Sequence, residues 1–227
     1  MKFERLNQST TPDSVYRVLR EAILNGKIPV GDQLREAHIA ADLGVSRAPL
    51  REALLRLEEE GLIVRVPFRG AFVAEVSAQT IDEIASLRLL VEPYAAGLAA
   101  ARLQGEDRDR LTGAVAVLRS ATHANDMAAS IDAHLHFHRL FYAYSGNGIL
   151  DDLWAGWESK LRLFLTIDHR SYSDLDEIAT AHERLADLVL NGDLKLFKRE
   201  LGRHIRAASG SSLDDQTGPV STRQSVQ

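Results

Sequence analysis

The 227-residue chain contains no cysteine. That excludes a disulfide framework and every thiolate-ligated metal site, and it points to the reducing cytoplasm. Long apolar runs are also missing. The first residues, Met-Lys-Phe-Glu-Arg-Leu-Asn-Gln, hold no hydrophobic stretch for a secretory signal, and no segment is long enough to span a membrane. Neither sign of charge dominates. The net charge of −5 argues against a general nucleic-acid coat protein. Residues 1–76 carry 11 Lys/Arg and 11 Asp/Glu, whereas the remainder carries 16 and 21. Any nucleic-acid-binding charge must therefore be a local feature of the first part. Absent too are a Gly-rich phosphate loop, a serine-nucleophile elbow and an internal repeat. His182-Glu183-Arg184-Leu185-Ala186 begins like a zinc-protease helix but has alanine where the second histidine belongs. With no obvious base beside the other histidines, these absences argue against a metallohydrolase.

What is present is organised around residues 34–72. Leu34, Ile39, Ala40 and Leu43 can line one side of a short helix, which Gly44 stops. Ser46 is placed to cap a second helix that runs to Glu60, with Leu50, Ala53, Leu54 and Leu57 at helical spacing and Gly61 after it. Its other face begins with Ser46, Arg47 and Arg51. Two helices joined by a short Gly-containing turn form a helix-turn-helix, whose second helix enters the DNA major groove N-terminus first. Leu62 to Val66 and Ala71 to Val76 read as two strands joined by Pro67-Phe68-Arg69-Gly70, a wing. Upstream, Thr11-Pro12 starts a helix carrying Val15, Val18, Leu19 and Ile23, ended by Asn25-Gly26, and Pro29 to Asp32 turns into the helix pair.

From Ser77 onward the signals are almost all helical. The expected helices are 78–104, 107–124, 127–145, 148–168, 174–190 and 193–208, with breaks at Gly105, Asn125-Asp126, Gly146-Asn147-Gly148, Ser171–Ser173 and Asn191-Gly192. Thr80 with Glu83 offers a capping box, and Ser77 is the rival cap. The fold class is mostly α. A winged helix-turn-helix domain over 1–76, of three helices and a short β-hairpin, precedes an all-α bundle over 77–209. The Ser- and Gln-rich segment 210–227 reads as a disordered tail.

In the run Asp132-Ala-His134-Leu-His136-Phe-His138, His134 and His138 lie about 40° apart on one helix face. His136 points about 200° away from His138 and Asp132 about 240°. The histidine pair can share a metal that the other two cannot easily reach. Arg88 falls on the otherwise apolar stripe Ile81, Ile84, Val91, Ala95. A buried guanidinium there needs an anion, either Glu92 one turn later or the carboxylate of a ligand. Arg162 is a second candidate for the ligand carboxylate. Phe137, Phe141, Trp154, Trp157 and Phe164 read as packing residues.

The stretch Leu34, Leu43-Gly44-Val45-Ser46-Arg47, Pro49, Arg51-Glu52-Ala53-Leu54, Leu57, Glu60-Gly61-Leu62 and Arg69-Gly70 resembles the winged helix-turn-helix of GntR-family bacterial transcription regulators. Arg88 with Glu92, Phe137-His138, Ser145-Gly146-Asn147, His182 with Leu185, Gly192-Asp193 and His204-Ile205 resemble the helical FCD effector domain of the FadR subfamily. The resemblance implies a cytoplasmic, homodimeric, non-enzymatic regulator of operator DNA. Its DNA-contacting residues would be Arg35, Ser46, Arg47, Pro49, Arg51, Arg69 and Gly70. It also implies a divalent metal held by His138, His182 and His204, zinc first, with nickel, copper or iron as alternatives. The position usually held by an acid is His134 here, which makes a four-histidine site the expectation. Arg88, Asn147 and Arg162 would then bind a small organic-acid effector. A regulator with a purely structural metal and no effector is the competing reading.

Overall fold

The computed structural model describes residues 11–168 and 175–209. The break expected at Ser171–Ser173 and the tail expected over 210–227 lie outside these residues. The N-terminal unit consists of α1 (Pro12–Leu24), β1 (Gln33–Leu34), α2 (Glu36–Leu43), α3 (Arg47–Glu59), β2 (Ile63–Val66) and β3 (Gly70–Val73). Thr11 caps α1 by accepting from the Ser14 N–H. Gly44 closes α2 at φ 70°, in the left-handed conformation that costs glycine little. Ser46 has the extended backbone of a cap, yet its side chain makes no capping bond, contrary to the sequence expectation. The three strands are antiparallel in the order β1-β3-β2, with Val66 opposite Gly70 across the wing turn. Strand β1 is not foreseen by the sequence reading. Two residues are too short for an alternation pattern, and only the free edge of β3, at Ala71 and Phe72, makes them a strand.

The rest of the described chain is helical: α4 (Ala78–Ala100), α5 (Glu106–His123), α6 (Met127–Ala143), α7 (Gly148–Asp168), α8 (Asp176–Leu190) and α9 (Leu194–Ser209). Ser77 is the cap of α4, accepting from the Thr80 N–H at 3.1 Å, while Glu83 is engaged by Gln79 instead of closing a capping box. Helix α4 runs through Pro93 and stops at Ala100, short of residue 104. There the Arg102 N–H turns back to the Ala99 carbonyl, and the chain buries Leu103.

Among the described residues two large apolar cores and a small satellite cluster form. Leu19, Leu43, Leu50, Leu54, Leu57 and Leu62 are fully buried in the N-terminal unit, and Phe137, Phe141, Trp154 and Phe197 anchor the bundle. Each such side chain contributes roughly 1.5–3 kcal/mol by leaving water. The cores meet along a seam, because Ala128 of α6 and Leu163 of α7 pack into the N-terminal one. Gly61, which follows the recognition helix α3, lies so close to α7 that an added Cβ would stand 2.6 Å from the Ser159 Cβ.

Candidate metal centre and nucleic-acid interface

Helices α6, α8 and α9 bring His134, His138, His182 and His204 together, with one ligand atom from each lying within 4.8 Å of the others. His134, His138 and His182 are buried and His204 is half-buried. The outer nitrogens fix the rings. His138 Nδ1 faces Glu92 Oε1, and His182 Nδ1 faces the Ile178 carbonyl at 2.6 Å. Both partners accept, so both Nδ1 atoms carry the proton and both Nε2 lone pairs point inward. Those Nε2 atoms stand 3.2 Å apart, and His138 Nε2 is 3.2 Å from His204 Nε2. Two lone pairs so placed repel unless a cation lies between them. Nitrogens each ~2.05 Å from a tetrahedral metal would be about 3.3 Å apart. The donor set, the inward lone pairs and the carboxylate and carbonyl behind them fit a divalent transition ion. His136 is exposed and Asp132 turns elsewhere, as their helical angles predict.

Glu92 is fully buried and joins three groups. It takes the Arg88 Nε–H at 2.9 Å, the Tyr142 hydroxyl at 3.4 Å and the His138 ring. Burial works to raise its pKa, but the charge of Arg88 and the hydrogen bonds from His138 and Arg88 prevail and hold it near 2. Burial lowers the pKa of His138 despite Glu92, which favours the neutral ring that a metal needs. Arg88 is 6% exposed, and its Nη2 has no hydrogen-bond partner among the described residues. It lines a small cavity with His134, His204 and the apolar side chains of Ile81, Phe164 and Leu165. A second cavity, of about 300 Å³, is also lined by His134 and His204 and is rimmed by Asp168, Glu177, Arg184, Glu200 and Arg203. Burial raises Asp168 to about 7. Nothing in the sequence marks Asp168, which is one acid among many at a helix end.

The other two expected effector contacts are not brought to the histidines. Asn147 instead closes the α6–α7 turn, its N–H donating to Ser145 Oγ and its Oδ1 accepting from the Ile149 N–H. Arg162 lies in a ring of alternating charge between the two units. Arg20 and Arg162 each contact both Glu60 and Asp132, and Arg162 also binds Glu158 at 3.1 Å. Glu60 caps the recognition helix and Asp132 sits two residues before His134. Glu158 accepts from Trp154 Nε1 at 2.9 Å, and Trp154 stacks on the His138 ring with centroids 6.5 Å apart. Only chain pairs distant in sequence form this ring, so local patterns could not reveal it.

On the opposite end of the N-terminal unit, Ser46, Arg47 and Arg51 are exposed and Pro49 is half-buried at the start of α3. Arg51 pairs with Glu36 at 3.0 Å, but its side chain is 62% exposed. Such surface pairs contribute at most about 1 kcal/mol and release readily. Arg35 precedes α2 and donates to Gln33, while Arg69 and Gly70 are exposed on the wing. Gly70 has φ 95°, a backbone that glycine alone adopts freely.

Residues 11–73 match the family described as bacterial regulatory proteins, gntR family, and residues 83–207 match the FCD domain. The chain is 35% identical over 137 residues to an HTH-type transcriptional regulator from the TAR-I ttuE-ttuC' intergenic region of Agrobacterium vitis, covering 57% of this chain and 78% of that one. It is 27% identical to a probable D-xylose utilization operon transcriptional repressor of Paenarthrobacter nicotinovorans, over 90% of this chain and 89% of the relative. Among solved structures, a putative transcriptional regulator GntR from Rhodococcus sp. RHA1 superposes with a TM-score of 0.65 at 25% identity, over 88% of this chain and 95% of that one.

Proposed function

Because the chain belongs to the gntR family of DNA-binding transcription regulators, which are not enzymes, and carries an FCD domain, we propose that it is a FadR-type regulator whose bundle holds a metal ion and a small carboxylate effector. The observation that carries this reading is the convergence of four imidazoles beside Arg88, whose Nη2 is buried without a hydrogen-bond partner among the described residues. His134, His138, His182 and His204 would hold the ion, with zinc the first choice for an all-imidazole set. Bound metal supplies a Lewis-acidic charge of +2 that neutral imidazoles leave uncompensated, which favours an anionic ligand. Arg88 would orient the carboxylate through its free N–H groups. Asn147 and Arg162 are left out of the effector site, since each is engaged elsewhere.

At the DNA, Arg47 and Arg51 would reach base edges in the major groove from the start of α3, with Arg35, Ser46, Pro49, Arg69 and Gly70 around them. Action on operator DNA places the protein in the cytoplasm. A homodimer suits a two-fold operator, and it is supported by the exposed stripe Leu87, Leu90, Tyr94 on α4, an apolar face that a second copy would cover. The domain limits follow as 1–76 and 77–209. The ring of Arg20, Glu60, Arg162 and Asp132 gives the effector site a physical route to the recognition helix. An effector acts only as far as it binds the DNA-competent and DNA-incompetent arrangements differently. No described helix is long and apolar enough to cross a membrane. A thermal-shift screen of small organic acids on zinc-loaded protein tests the reading. At least one acid should raise the melting temperature, and the rise should vanish when the zinc is chelated.

A further inference from the structure

The wing turn breaks the rule that governs its own backbone. The Arg69 N–H donates to the Val66 carbonyl at 3.0 Å, so residues 66–69 form a hydrogen-bonded four-residue turn. Pro67 occupies the second position, where its ring fixes φ near −65°. Phe68 follows with φ 61°. A proline followed by positive φ is a type II turn, whose third position belongs to glycine or asparagine. The nearest glycine is Gly70, two residues too late. A bulky aromatic in this conformation is an outlier held at a cost in backbone strain. Nor does the ring recover that cost by packing, for Phe68 is fully exposed, with a relative accessibility of 109%, and belongs to neither core.

We propose that Phe68 is a DNA wedge, which inserts its ring into the minor groove and partly unstacks a base step beside the major-groove site. Phenylalanine wedges of this kind kink duplexes at deformable pyrimidine–purine steps. The tip is built to hold such a ring. Gln33 Nε2 donates to the Arg69 carbonyl at 2.6 Å, tying β1 to the turn, and the exposed Arg69 guanidinium lies over the Phe72 ring, 5.4 Å from its centroid, where it can meet a phosphate. The strand leading to the turn follows α3 through Glu60, Gly61 and Leu62 alone, so the wedge and the recognition helix are closely linked. The assignment depends on DNA binding by the N-terminal unit and is independent of the metal and its effector.

The test uses the full chain and a duplex selected by it from a randomised library. Phe68→Gly and Phe68→Asn both suit the turn, so their melting temperatures should match or exceed that of the parent. Their affinity for the selected duplex should fall about tenfold or more. The bend seen by circular-permutation gel shift should shrink, and Phe68→Trp should keep both. The slope of log K against log salt should stay unchanged, because no cation is removed. Unchanged affinity and bend in the Gly and Asn variants overturn the wedge. So does a loss of affinity with a shallower salt slope, since Phe68 would then act only by placing Arg69.

Discussion

At the start of α3, Arg47 and Arg51 stand in water, and Arg51 has only a weakly held carboxylate beside it. In the bundle, Arg88 is buried against a fully buried Glu92 that also holds His138. The two regions use the same residue type under opposite constraints. An exposed guanidinium costs the fold nothing and is free to meet a partner, so its loss should be felt only in binding. A buried one is tolerable only within a set of compensating groups, so binding and stability cannot be separated there.

The sharpest way to break this contrast is Glu92→Ala. It should destabilise the fold by about 3–5 kcal/mol, because it strands Arg88 in the interior. The milder Glu92→Gln should leave a folded chain whose zinc affinity is about 10–100-fold weaker, since the carboxylate charge that raises the basicity of His138 is lost. Chemical denaturation and zinc titration check the two. Next in size, zinc at 100 times its dissociation constant should stabilise the parent by about 2.7 kcal/mol. His138→Ala and His182→Ala should abolish that gain and the bound ion, as read by calorimetry and metal analysis.

The ring between the units lies between these extremes. Its arginine side chains are only 14% and 10% exposed, yet Asp132 is 45% exposed. A double-mutant cycle of Glu60→Gln and Arg162→Met should return a coupling of about 0.5–3 kcal/mol. A coupling of zero means that the apolar seam alone joins the units. On the exposed side, Arg51→Ala should weaken operator binding by about 1–3 kcal/mol and relax specificity at one base pair. It should change folding stability by less than about 0.5 kcal/mol. A larger stability loss would erase the contrast between the two regions.

The same contrast explains what the sequence discloses. Helical spacing at Leu50, Ala53, Leu54 and Leu57, with glycines on either side, reveals α3 because every determinant is local. His134 and His138 are legible for the same reason, one turn apart on one face. The arrival of His182 and His204 is not written in any spacing and came from the family resemblance. Glu92 was readable as a partner of Arg88, but its hold on His138 needs α4 packed on α6. Asn147 and Arg162 have partners away from the histidines for the converse reason. Local sequence cannot say that a turn consumes one amide, or that Glu60 and Asp132 surround one guanidinium. Strand β1 exists only through its neighbour, so no reading of Gln33-Leu34 alone would find it.

The proposed function requires metal and carboxylate to share one site in the bundle. It is tested most directly by calorimetric titration of the best acid from the thermal-shift screen into zinc-loaded and zinc-chelated protein, beside zinc-loaded Arg88→Met. Binding should be clear in the first, absent in the second and weakened about tenfold or more in the third, as expected for loss of a charge-assisted contact. Equal affinity in loaded and chelated protein would contradict a shared site, leaving the metal structural and the acid bound elsewhere.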